Sequence, residues 1–246
     1  MSKKIDRRQA LGAIGTVSLG GLLAACGKDS SGGGGSASVA TTAGETATVE
    51  PKTTTSDATS ALFDEAASCS LTVEQTEGPY YFDADKVRSD IREDRKGARL
   101  RLALRVRDAG TCKALPDAVV DIWHADAGGA YSGFDDAATK TRYLRGAQVT
   151  DKDGVVEFTT IYPGWYQGRT THIHVKVHLN NTDVLTSQLY FDDGVSSTVF
   201  ERPEYSARGE RDQRNGSDGI FDDSLLLTLE ESGDGYLGLM TLDVAA

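Results

Sequence analysis

Thr171-His172-Ile173-His174-Val175-Lys176-Val177-His178 decides how this chain is read. Apolar and polar residues alternate over the stretch, the two-residue period of a β-strand rather than the 3.6-residue period of a helix. Successive strand side chains point to opposite faces, so Ile173, Val175 and Val177 line one apolar face while His172 and His174 project together from the other. Two imidazoles at i and i+2 can share one metal ion, and imidazole suits Zn, Cu, Fe and Ni. Taken alone, the pattern is weak, and a solvated polar face is its commoner meaning.

The flanking chain reads the same way. In Arg99-Leu-Arg-Leu-Ala-Leu-Arg105-Val-Arg107, Leu100, Leu102, Leu104 and Val106 fall at period two with arginines between or beside them. Residues 118–124, 155–160, 171–179 and 184–191 are further short β-rich runs, punctuated by Asp151-Lys-Asp-Gly154 and Asp192-Asp-Gly194. Only 58–67 suggests a short helix. The expected fold is all-β: an antiparallel β-sandwich with irregular loops and little helix, spanning 64–246.

The 246 residues carry 26 Lys+Arg against 37 Asp+Glu, a formal net charge of −11. That balance argues against nucleic acid or anionic lipid as the main partner, because phosphate recognition needs a basic footprint. No apolar run reaches the roughly 18 residues that span a bilayer.

The first 27 residues read as a signal peptide. Lys3, Lys4, Arg7 and Arg8 precede a short apolar or small stretch, Leu11 to Ala25. Arg7-Arg8 resembles a twin-arginine export signal, with Ala10 where such signals prefer Phe, and Leu23-Ala-Ala-Cys26 resembles a lipobox. The expectation is an exported lipoprotein, at the cell surface or the periplasmic side, touching the membrane only through a lipid anchor at Cys26. Of residues 28–60, 24 are Gly, Ser, Thr or Ala and none is aromatic. Such a segment buries too little apolar surface to offset its ordering entropy, so 28–63 reads as a disordered tether. Lipidation of Cys26 would leave Cys69 and Cys112, either as a disulfide in an oxidising compartment or as two buried thiols.

Five motifs in order change the weight of the histidine pair: Thr76-Glu-Gly-Pro-Tyr80, the segment from Trp123 to Tyr131-Ser-Gly133, Pro163-Gly-Trp-Tyr166, Arg169-Thr-Thr-His-Ile-His174 and Ser187-Gln-Leu-Tyr-Phe191. Together they resemble the intradiol ring-cleavage dioxygenases, the non-haem ferric enzymes of catechol and protocatechuate type. The resemblance implies Fe(3+) held by Tyr131, Tyr166, His172 and His174, with Tyr162 the rival for Tyr166. It implies that Tyr166, the axial ligand, leaves the metal and takes a substrate proton, and that Arg169 and Gln188 act beside the reacting ring. Gly78, Pro79, Tyr80 and Trp123 are placed by position along the substrate pocket; His124 and His178 are not expected as ligands. Hard phenolate donors favour ferric over ferrous iron, and a bound cation lets phenolate exist near neutral pH. The implied reaction joins a catechol-type diol and O₂ to give a muconate-type diacid, with a homodimer among the expected states.

Two features depart from the familiar cytoplasmic enzymes. The Tyr166-to-His172 interval is short, and the N-terminal helical linker used for assembly is replaced by the polar 28–60 stretch. A tethered sandwich acting as a binding module with a degenerate site, or a zinc or copper site using His172 and His174 alone, are the competing accounts.

Overall fold

The computed structural model describes residues 37–40, 46–49, 57–63, 69–82, 86–134, 140–180 and 182–246. The expected leader, Cys26 included, and most of the small-residue stretch lie outside these residues. Within that stretch, β1 (Ala37–Ala40) pairs antiparallel with β2 (Thr46–Val49), and α1 (Asp57–Ser60) is one helical turn.

Eight further strands follow: β3 (Arg99–Asp108), β4 (Val119–Trp123), β5 (Arg145–Val149), β6 (Val155–Ile161), β7 (His172–Leu179), β8 (Thr182–Tyr190), β9 (Thr228–Ser232) and β10 (Gly235–Val244). They form two four-stranded sheets, in the orders β6-β3-β10-β9 and β5-β4-β7-β8. One apolar core joins them: Leu100, Leu102, Leu104 and Val106 from β3 and Phe158 from β6 meet Val120, Ile122, Ile173, Val175, Val177 and Leu189 from the other sheet. The all-β expectation holds, with one exception to antiparallel order. β10 runs parallel to β3: the chain re-enters the first sheet at its edge as β9 and turns back antiparallel to it as β10, beside β3.

The arginine-rich face of β3 shows why its alternation looks imperfect. Its odd-numbered side chains face away from the core, yet this outer side is itself covered. Arg107 is buried in a pair with Asp243, at 2.8 and 2.9 Å, and Arg101 pairs with Glu157. Ala103 packs with Phe63, Val155, Leu237 and Leu239 in a second small cluster.

α2 (Asp193–Phe200) and α3 (Pro203–Ser206) follow β8. Asp192-Asp-Gly194, which reads as a turn, opens α2 instead. The Asp192 carboxylate accepts hydrogen bonds from the Gly194 and Val195 amides at 2.7 and 3.0 Å, satisfying N–H groups that the first helical turn leaves unpaired. Cys69 and Cys112 are joined in a disulfide, Cα atoms 5.6 Å apart, across a sequence separation of 43. In the chain-entropy model such a closure stabilises by on the order of 3–4 kcal/mol. Among the described residues no helix is long and apolar enough to cross a membrane.

Candidate active site

Residues opposite one another in neighbouring strands share a face. Arg145 on β5 stands opposite Trp123 on β4, Trp123 opposite His174 on β7, and His174 opposite Gln188 on β8. This row lies on the face of the second sheet turned away from the core, flanked by His172 opposite Tyr190 and Lys176 opposite Thr186. Residues 73–82 cross the same face as a strap. Gln75 N donates to Thr186 O, the Gln188 amide donates to Thr76 O, and Lys176 pairs with Glu77.

The two histidines converge. Their Nε2 atoms are 3.1 Å apart, and Tyr131 Oη, carried by the loop after β4, lies 3.4 Å from His172 Nε2. His172 Nδ1 donates to the Thr170 carbonyl at 2.7 Å, which turns the Nε2 lone pair toward Tyr131 and His174. His174 Nδ1 is buried and has no hydrogen-bond partner among the described residues; its ring lies on Trp123, centroids 4.9 Å apart and 3° from parallel. Gly78, at φ +71°, comes so near that a Cβ there would sit 3.2 Å from His174 Cε1.

Tyr166 completes the cluster. Its hydroxyl is 2.8 Å from that of Tyr80, and its ring meets Tyr131 edge-on at 6.0 Å. Tyr80 also stacks on Tyr131 at 4.5 Å. Tyr162 is core instead: its hydroxyl pairs with Ser196 Oγ at 2.8 Å. His124 satisfies both ring nitrogens, on Ala125 O and Thr160 Oγ1. Pro79 is exposed on the strap. Trp123, expected along the substrate pocket, is 1% exposed; the His174 ring stacks on it and the Tyr81 ring packs against it at a tilt.

Burial governs the protonation of these groups. It pushes the His172 imidazole down to about 4, assisted by the Arg169 charge, and holds His174 well below the ordinary histidine range. Both rings are therefore neutral at physiological pH, the form that binds metals. Burial also pushes the Tyr131 phenol well above its usual range, against the opposing charges of Arg145 and Arg169. Ionising that phenol needs a cation at the site.

The donor set suits such a cation. Two nitrogens each about 2.1 Å from one ion, at roughly a right angle, stand about 3 Å apart, as these two do. Among the described residues no three His, Cys, Asp or Glu side chains cluster as metal ligands. The phenols Tyr131 and Tyr166 are thus the protein donors available beside the imidazoles, a set suited to a hard, highly charged ion.

Arg169 borders the cluster. Its Nη2 donates to Gln188 Oε1 at 2.7 Å and its Nε to Asp218 Oδ2 at 2.8 Å. Tyr190 Oη donates to Gln75 Oε1 at 2.5 Å and lies 3.3 Å from Gln188 Oε1.

A family model described as dioxygenase matches residues 76–199, half of the chain. The solved intradiol ring-cleavage dioxygenase of Tetranychus urticae is 36% identical, with a TM-score of 0.69, over 72% of this chain and 95% of that one. The chain belongs to the intradiol ring-cleavage dioxygenase family. A second likeness is the dioxygenase domain of a dioxygenase carbohydrate-binding protein fusion from the cellulolytic bacterium Streptomyces sp. SirexAA-E. It is 35% identical, TM-score 0.57, over 72% of this chain and all of that domain. Chlorocatechol 1,2-dioxygenase of Rhodococcus opacus is 33% identical over 42% of this chain and 47% of its own length. The chain spans about half the length of the curated relatives it matches.

Four neighbours of this cluster are not among the residues expected from the sequence. Tyr190 follows Gln188 by two on the same strand, so strand alternation was signal enough to find it. Lys176 likewise shares the histidine face. Arg145 is buried, donates from Nε and Nη2 to Ser132 beside Tyr131, and stacks on Phe82 at 4.3 Å. Asp218 lies in Asn215-Gly-Ser-Asp-Gly219, which by composition is an ordinary turn.

Proposed function

We propose that this protein opens catechol-type aromatic diols between their two hydroxyls with O₂, at a ferric ion held by Tyr131, Tyr166, His172 and His174, yielding muconate-type diacids. The observation that carries the reading is the convergence of two neutral imidazoles and a deeply buried phenol on one point, with Tyr166 alongside. The chlorocatechol and catechol 1,2-dioxygenases among the relatives support a diol substrate.

A ferric ion there would supply Lewis acidity toward a chelated diol and so make its ring reactive toward O₂. The protein's own groups serve the rest. Tyr166 is half-buried; as a phenolate its oxygen would take a proton from the arriving diol and so become the neutral phenol, with the Tyr80 hydroxyl in hydrogen-bond reach of it. Thr170 O keeps His172 in the tautomer that presents Nε2. The Arg169 guanidinium, held against Gln188, offers fixed positive charge to a ring that gains electron density in the reaction.

Visible absorption of the purified full chain tests this reading. Tyrosinate on Fe(III) gives an intense charge-transfer band; the band should move to longer wavelength with catechol without air and bleach on aeration as diacid forms. A folded protein that stays colourless after Fe(III) reconstitution would overturn it and leave the tethered binding module as the better account.

We also propose that the chain is exported, by the twin-arginine route, and anchored through Cys26. The Cys69–Cys112 disulfide supports an oxidising destination. Mass spectrometry of the mature N-terminus from a bacterial host checks it: a lipidated Cys26 is expected, and an unmodified Met1 terminus would count against it.

A further inference from the structure

The segment linking Tyr166 to His172 is held by chain that lies beyond the family-matched residues 76–199. Asp212 Oδ2 accepts from Gly168 N at 3.0 Å, and Asn215 Oδ1 accepts from Thr170 Oγ1 at 2.6 Å. Asp218 Oδ2 accepts twice, from Arg169 Nε at 2.8 Å and from Thr170 N at 2.9 Å, while its Oδ1 takes Ile220 N at 3.1 Å. The Asp218 side chain is 3% exposed. Asn215 is tied in turn to Phe191 O, at the end of β8.

These contacts place one carboxylate between two groups of the site. On one side Asp218 grips Arg169, whose other edge meets Gln188. On the other it fixes Thr170, whose carbonyl receives His172 Nδ1. Within the six-residue step from Tyr166 to His172 the described internal bonds are two, the turn from Arg169 N to Tyr166 O and His172 Nδ1 to Thr170 O. Residues 212–218 supply further support. Burial alone would raise the Asp218 carboxyl, but the Thr170 and Ile220 amides and the Arg169 guanidinium outweigh it and hold the group below the ordinary carboxylate range.

We propose that Asp218 is a positioning residue for the reaction: it sets the Arg169 guanidinium against Gln188. The inference rests on the dioxygenase reading but is separable from it. Neutralising the partner of a partly buried guanidinium leaves a charge-assisted bond unmade and an arginine free to swing toward solvent. Loss of such a supporting partner commonly costs about 10–100-fold in activity or metal affinity.

Exchange of the Arg169 Nε proton with solvent, followed by NMR in the metal-free full chain, reads the contact without any turnover. The proton should exchange at least about ten times more slowly than in free arginine; exchange at the free-arginine rate overturns the proposal whatever the variants do. With iron loaded, Asp218→Asn should lower kcat by about 10–100-fold. In an Arg169→Gln background the same change should cost less than about threefold, because the pair acts as one unit. An Asp218→Asn protein with wild-type kcat, or a loss equally large in both backgrounds, also overturns it. Wild-type protein that makes no ring-cleavage product sinks the dioxygenase reading instead, and the exchange rate still decides the fate of the Asp218–Arg169 contact.

Discussion

His174 rests on Trp123, ring on ring, 3° from parallel and with centroids 4.9 Å apart. Metal-binding histidines usually donate their second ring nitrogen to a carboxylate or carbonyl, which fixes the ring. His174 has no such partner among the described residues, so its orientation depends on the indole beneath it, on the Gly78 backbone beside it, and on its neighbours in β7. Replacing Trp123 by Leu keeps an apolar side chain but removes the flat platform. Iron affinity is expected to fall by about 10–100-fold, measured by Fe(III) titration of the charge-transfer band. Undiminished affinity would show that strand geometry alone holds the ring.

Tyr131→Phe and Tyr162→Phe separate a phenol of the cluster from a phenol of the core. The first should abolish or severely weaken iron binding and colour, whereas a zinc or copper site on the two histidines would keep its metal content. The second should bind iron as the wild type does and lose about 1–2 kcal/mol of stability, since it strands the buried Ser196 hydroxyl. Metal analysis and thermal unfolding of both variants make the comparison.

Gly78→Ala adds one methyl at a backbone position with φ +71°, facing His174 at 3.2 Å. The left-handed conformation costs a non-glycine residue roughly 1–2 kcal/mol, and the imidazole must give way by a few tenths of an ångström. Lower stability together with weaker iron uptake is expected. A variant that loses stability but titrates iron normally would mean that the strap only covers the site.

Stability of the metal-free protein should fall steeply in mild acid. His124 and His172 are pushed down to about 4 by burial, and His174 is depressed as well. The unfolded chain takes up these protons near pH 6.5 while the fold resists them, so the stabilisation is complete above about pH 6.5 and drains away as pH falls toward 4. For His124 and His172 the full loss is on the order of 3 kcal/mol each. Thermal denaturation from pH 7.5 to 4 measures it; a Tm that stays level across this window would rule out neutral burial of the three rings.

Much of the sandwich is written in local pattern. The runs at 99–107, 118–124, 155–160, 171–179 and 184–191 coincide with β3, β4, β6, β7 and β8 because each pays its two-residue alternation into the same core. β5, β9 and β10 were not legible. β5 is Arg-Gly-Ala-Gln-Val, whose pairing with β4 makes it a strand, and β10 has glycines at both Gly235 and Gly238. α2 was masked by a turn-like Asp-Asp-Gly whose first aspartate turned out to be a helix cap.

The linear sequence by itself determined which residues share a strand face: His172 with His174, Gln188 with Tyr190, and the apolar residues opposite them. That follows from backbone stereochemistry alone, since a strand has no choice but to alternate. It also supplied, in ordered motifs, the resemblance that named Tyr131, Tyr166 and Arg169. Only the tertiary structure decided what these residues touch. Tyr131 and Tyr166 arrive on loops whose paths depend on the packing of both sheets, and Tyr162 is removed from contention by a hydrogen bond to Ser196 on a helix. Asp218, forty-nine positions from Arg169, reaches it because the chain after α3 folds back over β8; contacts that distant are set by the global burial of the core and leave no periodic trace in sequence.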